Sequence, residues 1–366
     1  MSFESGSLSF RIYSLSRPLP EDYIERFAKH SAPSIETSVA GGVSGWVTGR
    51  HLLDSDIREE TAHYAGYLRL ALLEIEKKIP PSLLKAECQI EELAMLAADG
   101  KQFLNQKDRA EIRESVTDNL LPQMPPQLKS IPLVYQPGGV TLYASALSVT
   151  KNDLLCARFL NSMGYNMTPC APDRLVELHK KPDVRGWHPT SFSPKVGDES
   201  MMEVYPGREF LTWLLFSFDA RGGIVEVDGV GSVSLLIEGP LTFYHEGGSV
   251  YETILKSGEP VRSSEASTCL MNGKLLRKAT VTIAIKEEPW QFGIDGDEFV
   301  FRNVKLPETE KGLDSVSRFQ DRIGRIDQLR DIFLGLYDRF ITIRCTPSSW
   351  AKEKREMRNW VASRAG

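Results

Sequence analysis

The chain has little of what marks the specialised protein classes. Its five cysteines, Cys88, Cys156, Cys170, Cys269 and Cys345, are odd in number and far apart, and they form no CxxC pair. Neither a disulfide framework nor a zinc knuckle is expected, and buried thiols are. No stretch approaches the roughly 20 apolar residues that cross a bilayer. The opening MSFESGSLSFRIYSL lacks a basic patch followed by an apolar run. A cytoplasmic protein without membrane contact is expected.

Signatures of catalysis are missing too. The six histidines are scattered without HxxxH or HExxH spacing, and His179 and His188 only bracket a basic, proline-containing linker. Glycine-rich stretches at 41–45, 138–139 and 221–223 lack the GxxxxGK[ST] and GxGxxG patterns that cradle phosphate at a helix start. No GxSxG elbow occurs and no nucleophile is paired with a base. The chain therefore reads as non-enzymatic, with no cofactor and no metal. Asp295, Asp297 and Glu298 in GIDGDEF are close enough for a hard cation but miss the EF-hand spacing, and a tight turn accounts for them.

What the sequence has is an ordinary globular composition with an uneven charge. The 366 residues are 41% hydrophobic and 25% charged, room for two or three domains. The formal charge is −5 overall. From Arg318 to the end, however, basic residues outnumber acidic ones eleven to six, leaving −10 for the rest. Such asymmetry suggests an anionic partner near the C-terminus, with an acidic remainder that preserves solubility.

The apolar spacing sets the order of elements. LSFRIYSL alternates as a strand, and PEDYIERFAKH then carries a helical stripe. A long run at 62–79 reads mainly as strand, with a helix as its rival. SLLKAECQIEELAMLAADG is a helix stopped at Gly100, and a second helix spans about Asp108 to Leu121. Together they form an αα-hairpin, a finger inserted between strands. IPLVYQPGGVTLYASAL reads as a β-hairpin, and Thr150 caps the helix that follows. After the linker at 182–198, GREFLTWLLFSF is a helix or a buried strand. Short β runs follow at IVEVDG, VSLLIEG and PLTFYHE, then a helix near Ser263–Met271. VTIAIK, WQFGID and FVFRNVKL are three strands, and two helices at about 314–343 and 347–362 close the chain. The fold class expected is α+β with two antiparallel-sheet units: residues 1–181 with the finger at 80–127, residues 182–307, and a C-terminal helical pair over 308–366.

Three basic clusters are candidate phosphate contacts. Lys274, Arg277 and Lys278 sit at the mouth of a strand, where they bind phosphate or guard the strand end. Arg318, Arg322 and Arg325, at i, i+4 and i+7, share one helix face, although Leu329, Leu336 and Phe340 rotate toward it and Asp321 offers a partner. Lys352, Lys354 and Arg355, with Arg358, charge the last helix, which Trp350 and Trp360 anchor.

GGVSGWVTGR, YLRLALLEIEKKIPPSLLKAECQIEELA, NQKDRAEIRESVTDNLLP, the IPLVYQPGGVTLYASALS hairpin and LLCARFLNSMG resemble the recombination-associated protein RdgC family over roughly residues 1–170. GREFLTWL, NGKLLRKATVTIA and FRNVKLPE resemble the second half of its longer members less specifically. The resemblance implies a homodimer closed into a ring, with the finger of one subunit touching its mate and a cationic hole for DNA. It implies sequence-independent binding of single- and double-stranded DNA, restraint of RecA-promoted recombination or replication, and association with the nucleoid. The chain departs from the family after Leu-Leu-Pro, where Gln123-Met124-Pro125-Pro126-Gln127 replaces an arginine, an aromatic and further basic residues. Leu121, Met124 and Pro125 then remain as the expected dimer contact, and DNA contact shifts to the three basic clusters. The alternatives are a protein-interaction module of the same fold, using Met124-Pro125-Pro126 as the tip of the finger, and a metal-dependent nuclease built on Asp295 and Asp297.

Overall fold

A computed structural model describes residues 3–35, 42–100, 103–178, 187–198, 201, 203–245, 251–309 and 312–364. It begins with β1 (Leu8–Leu15), α1 (Tyr23–Lys29), β2 (Val43–Thr48), α2 (Glu59–Ala62), β3 (His63–Tyr64) and β4 (Tyr67–Lys77). The finger helices α3 (Pro81–Asp99) and α4 (Gln106–Leu120) follow, then β5 (Pro126–Tyr135), β6 (Thr141–Ala144), α5 (Val149–Met163), β7 (Met167–Pro169) and α6 (Pro172–Leu178). The rest comprises α7 (Pro206–Arg221), β8 (Ile224–Val227), β9 (Gly231–Tyr244), β10 (Glu252–Leu255), α8 (Ser264–Met271), β11 (Leu275–Ile285), β12 (Glu288–Asp295), β13 (Val300–Lys305), α9 (Ser315–Cys345) and α10 (Pro347–Ser363). Helices and a large antiparallel sheet make this an α+β protein. Among the described residues no helix is long and apolar enough to cross a membrane.

Contacts divide the chain into two units. The first takes residues 1–18, 134–156 and 166–366, and the second 19–133 and 157–165. The expected boundaries at 181/182 and 307/308 follow chain order, whereas grouping by contact places β1 with the C-terminal strands. β1 pairs antiparallel with β13, Leu8 opposite Val304 and Phe10 opposite Phe301.

In the first unit the strands run β10-β9-β11-β12-β13-β1-β6, with β8 on β9 and β7 on β1. Along β11, buried Ala279, Val281 and Ile283 alternate with half-buried Thr280, Thr282 and Ala284, the period-2 pattern of a sheet with one packed face. α7 and α9 cover that face. Phe210 of α7 meets Phe299 at 6.0 Å, and Phe333 of α9 meets Phe292 at 6.1 Å and Phe301 at 4.9 Å. α7 is helical although helix and buried strand both fitted its sequence. Every residue from Pro206 to Ser217 is buried, so no polar stripe betrays the period. The runs VSLLIEG and PLTFYHE, expected as separate strands, form the single strand β9. Helix α5 starts one residue before Thr150, because the Ser148 hydroxyl accepts from the Lys151 amide at 3.3 Å.

In the second unit β4 lies between β5 and β2, and β2 pairs it from Val43↔Ile75 to Thr48↔Leu70. The helices of the finger pack through Leu104, Ile112 and Val116 against Leu84, Cys88, Met95, Leu96 and Leu120. Gly100, at φ 62°, ends α3, and the Asn105 side chain caps α4 at Asp108 N, 2.8 Å. The turn between the helices is therefore the tip, and α4 runs back toward the strands. Lys77, at the end of β4, donates to the Pro122 carbonyl at 2.8 Å. Leu121, Met124 and Pro125 thus stand at the base of the finger, correcting the expectation that this segment forms its tip.

Candidate nucleic-acid interface

The segment from Lys274 to Lys278 begins β11. Gly273, at φ 79°, ends the turn after α8, and Ser263 caps that helix through Ala266 N at 3.1 Å. The pairing of β11 with β9 shifts register between Leu276 and Lys278. Such a bulge turns neighbouring side chains out of strict alternation, and Arg277 and Lys278 are both half-buried.

Both of these cations have carboxylate partners. Arg277 Nε lies 2.8 Å from Asp297 Oδ2, and its Nη1 lies 3.4 Å from Glu252. Lys278 Nζ is 3.3 Å from Asp295, its cross-strand neighbour on β12. Lys274 donates to the Thr253 hydroxyl at 2.7 Å. Arg277 and Lys278 are brought together, then, around the acidic turn that joins β12 to β13, while Lys274 reaches to β10.

That turn is clamped from α7. Arg208 donates to Asp297 through Nε at 2.5 Å and Nη2 at 2.9 Å, and its guanidinium lies 3.7 Å from the Tyr205 ring centroid and 4.5 Å from that of Tyr244. The approach requires glycine. A Cβ on Gly207 would stand 1.8 Å from the Gly296 carbonyl oxygen. Among the described residues no group of three or more histidine, cysteine, aspartate or glutamate side chains is arranged to hold a metal. Asp295 and Asp297 instead neutralise Lys278, Arg208 and Arg277.

The α9 and α10 clusters sit on two further elements. Arg322 donates to the carbonyls of Phe3, at 3.0 Å, and Gly6, and burial lowers its pKa. Arg325 pairs with Glu288 at 2.7 Å and with Asp321 at 3.6 Å, and Arg318 donates to the Leu313 carbonyl at 3.1 Å. Lys354 and Arg358 of α10 both grip Asp198. Burial alone would raise the Asp198 pKa, but the hydrogen bonds from Lys354 and from Ser191 N outweigh it and hold the carboxyl below its usual range. Lys352 is exposed, 4.0 Å from Glu356, and Arg355 is exposed. His188 is exposed, and its carbonyl accepts from Arg344 at 2.8 Å. His179 lies outside the described residues.

The sequence reading missed the cations of the open sheet face. In the first unit, on the side away from α7 and α9, a concavity of about 390 Å³ is lined by residues that include Lys256, Lys278, Arg302 and Lys305, with Asp295 as the one acidic lining residue among those described. Lys256 and Lys305 are exposed, and their side chains make no hydrogen bond or ion pair among the described residues. Arg302 donates to the Leu147 carbonyl at 3.1 Å. These cations lie far apart in sequence, and only strand pairing gathers them. Pro240, Ile254, Ala279, Phe292 and Ile294 line it as well, beside Thr242, Thr280, Gln291 and Gly293, so the surface between the cations is largely apolar.

No protein-family model matches the chain, and no curated protein matches it.

Proposed function

We propose that the chain is a sequence-independent DNA-binding protein and that the open sheet face of its first unit contacts the phosphate backbone. The observation that carries this reading is the lining of the concavity, where four basic side chains face one acidic one in a chain whose formal charge is −5. A local excess of cations of this kind attracts a polyanion while the rest of the surface stays acidic.

The resemblance to the RdgC family in residues 1–170 extends the proposal. On that reading the fold is RdgC-like, the active form is a ring-closing homodimer associated with the nucleoid, and the role is to modulate RecA-dependent recombination or replication without catalysis. The test is fluorescence anisotropy of two unrelated labelled duplexes at several salt concentrations, with the oligomer mass recorded alongside. Equal, salt-sensitive binding of both duplexes by a dimer is expected. Absence of binding at low salt contradicts the proposal.

A second reading is favoured by a separate observation. On the finger, Ile90 is 58% exposed, Leu93 67% and Phe103, at the tip, 83%. Apolar side chains this open fit a protein-interaction module, and Ile90→Ser with Leu93→Ser would then abolish partner binding while leaving DNA affinity unchanged.

A further inference from the structure

At the β9–β10 end of the first unit's sheet, aromatic rings and guanidinium groups are layered. The Arg208 guanidinium lies between the rings of Tyr205 and Tyr244, and the Arg277 guanidinium is 5.4 Å from the Tyr244 centroid. Tyr251 continues the layer outward, stacked on Tyr244 at 6.4 Å with 25° between the ring planes. Asp297 fixes Arg208 by two hydrogen bonds, so the inner end of the layer is rigid. The outer end is open, for Tyr251 is 55% exposed.

We infer that Tyr251, supported by Tyr244, is a stacking platform for an unpaired base and gives the protein its preference for single-stranded over duplex DNA. The inference rests on the nucleic-acid reading above and assigns that surface a residue that discriminates between strands. A tyrosine held at a fixed angle offers a flat face without the entropy cost of ordering it first. Every unpaired base has a π-face that can lie on such a ring, whereas bases inside a duplex are already stacked on one another. Tyr251 immediately precedes β10, and Lys256 follows the end of the same strand. A single strand laid along β10 would thus place a base on Tyr251 and its phosphates toward the cationic rim.

The experiment compares the wild-type chain with Tyr251→Ala, Tyr251→Phe and Tyr251→Trp, using a labelled oligothymidine, an abasic strand of the same length and a duplex. Tyr251→Ala should weaken oligothymidine binding about tenfold, the scale of one lost base–aromatic stack. Affinity for the duplex and for the abasic strand should stay the same, as should the salt slope, because no phosphate contact is removed. Phenylalanine and tryptophan should restore binding. An equal loss on all three ligands marks Tyr251 as merely structural and overturns the inference, as does an unchanged oligothymidine affinity. A wild-type chain that binds none of the three overturns the nucleic-acid reading with it. One that binds all three while ignoring Tyr251 overturns only the platform.

Discussion

Arg208 holds Asp297 with two hydrogen bonds, 2.5 and 2.9 Å long, while only 7% of the Arg208 side chain is exposed. The pair joins α7 to the β12–β13 turn, where Lys278 meets Asp295 and Arg11 meets Glu298. Arg277 shares the Asp297 carboxylate, so a single aspartate balances two guanidinium groups. Removing it takes the carboxylate from a buried guanidinium. Asp297→Ala should therefore destabilise the protein by about 3 kcal/mol, seen as a lower urea midpoint at an unchanged slope. A midpoint equal to that of the wild type would show that the clamp carries no stability.

Gly207 lets that clamp close. Its missing Cβ leaves room for the Gly296 carbonyl and the Pro172 ring. Gly207→Ala keeps helix propensity but forces α7 away from the turn, at a cost of about 1–3 kcal/mol, the usual range for overpacking. Thermal melting of this variant beside Gly335→Ala, whose Cβ would meet only the Val227 side chain, separates the two cases. The first should lose clearly more stability.

Asp198 latches α10 through Lys354 and Arg358. Its pKa is lowered in the folded chain, so its contribution is present above the unfolded carboxylate value of about 3.9 and fades as pH falls through the folded value. Wild type should be more stable than Asp198→Asn at neutral pH. The difference should shrink below about pH 4 as the carboxylate takes up its proton. Urea midpoints of both proteins across that range check this, and a gap that widens in acid would contradict the assignment.

Much of the fold was legible in the sequence, because period and turn chemistry are local. The alternation in β11 to β13, the Gly100 stop of α3 and the two terminal helices follow directly from residue spacing. β9 was harder to read, since Pro240 in the middle of an apolar run looks like a break. α7 gave no periodic signal because all its faces are covered from Pro206 to Ser217. Base and tip of the finger were exchanged because the direction in which α4 returns is set by packing, as the Lys77 bond to Pro122 makes plain.

The candidate site was legible only in part. Lys274, Arg277 and Lys278 stand out as a run, but their partners Thr253, Glu252, Asp295 and Asp297 come from β10, β12 and the β12–β13 turn. Lys256, Arg302 and Lys305 are isolated in sequence and become a cluster only when β10, β9, β11, β12 and β13 are laid side by side. β13 offered no clean signal, since Arg302 and Asn303 are exposed side by side and its pairing with β12 shifts register between Arg302 and Lys305.

The most direct test of the DNA-binding account is the salt dependence of duplex affinity for the wild type and for Lys256→Ala, Arg302→Ala and Lys305→Ala combined. Duplex binding loses about 0.9 in log–log slope for each phosphate contact removed. The account predicts a slope shallower by about 2–3 per subunit, with the same loss on unrelated sequences. An unchanged slope would place DNA contact away from the open sheet face and contradict the proposal.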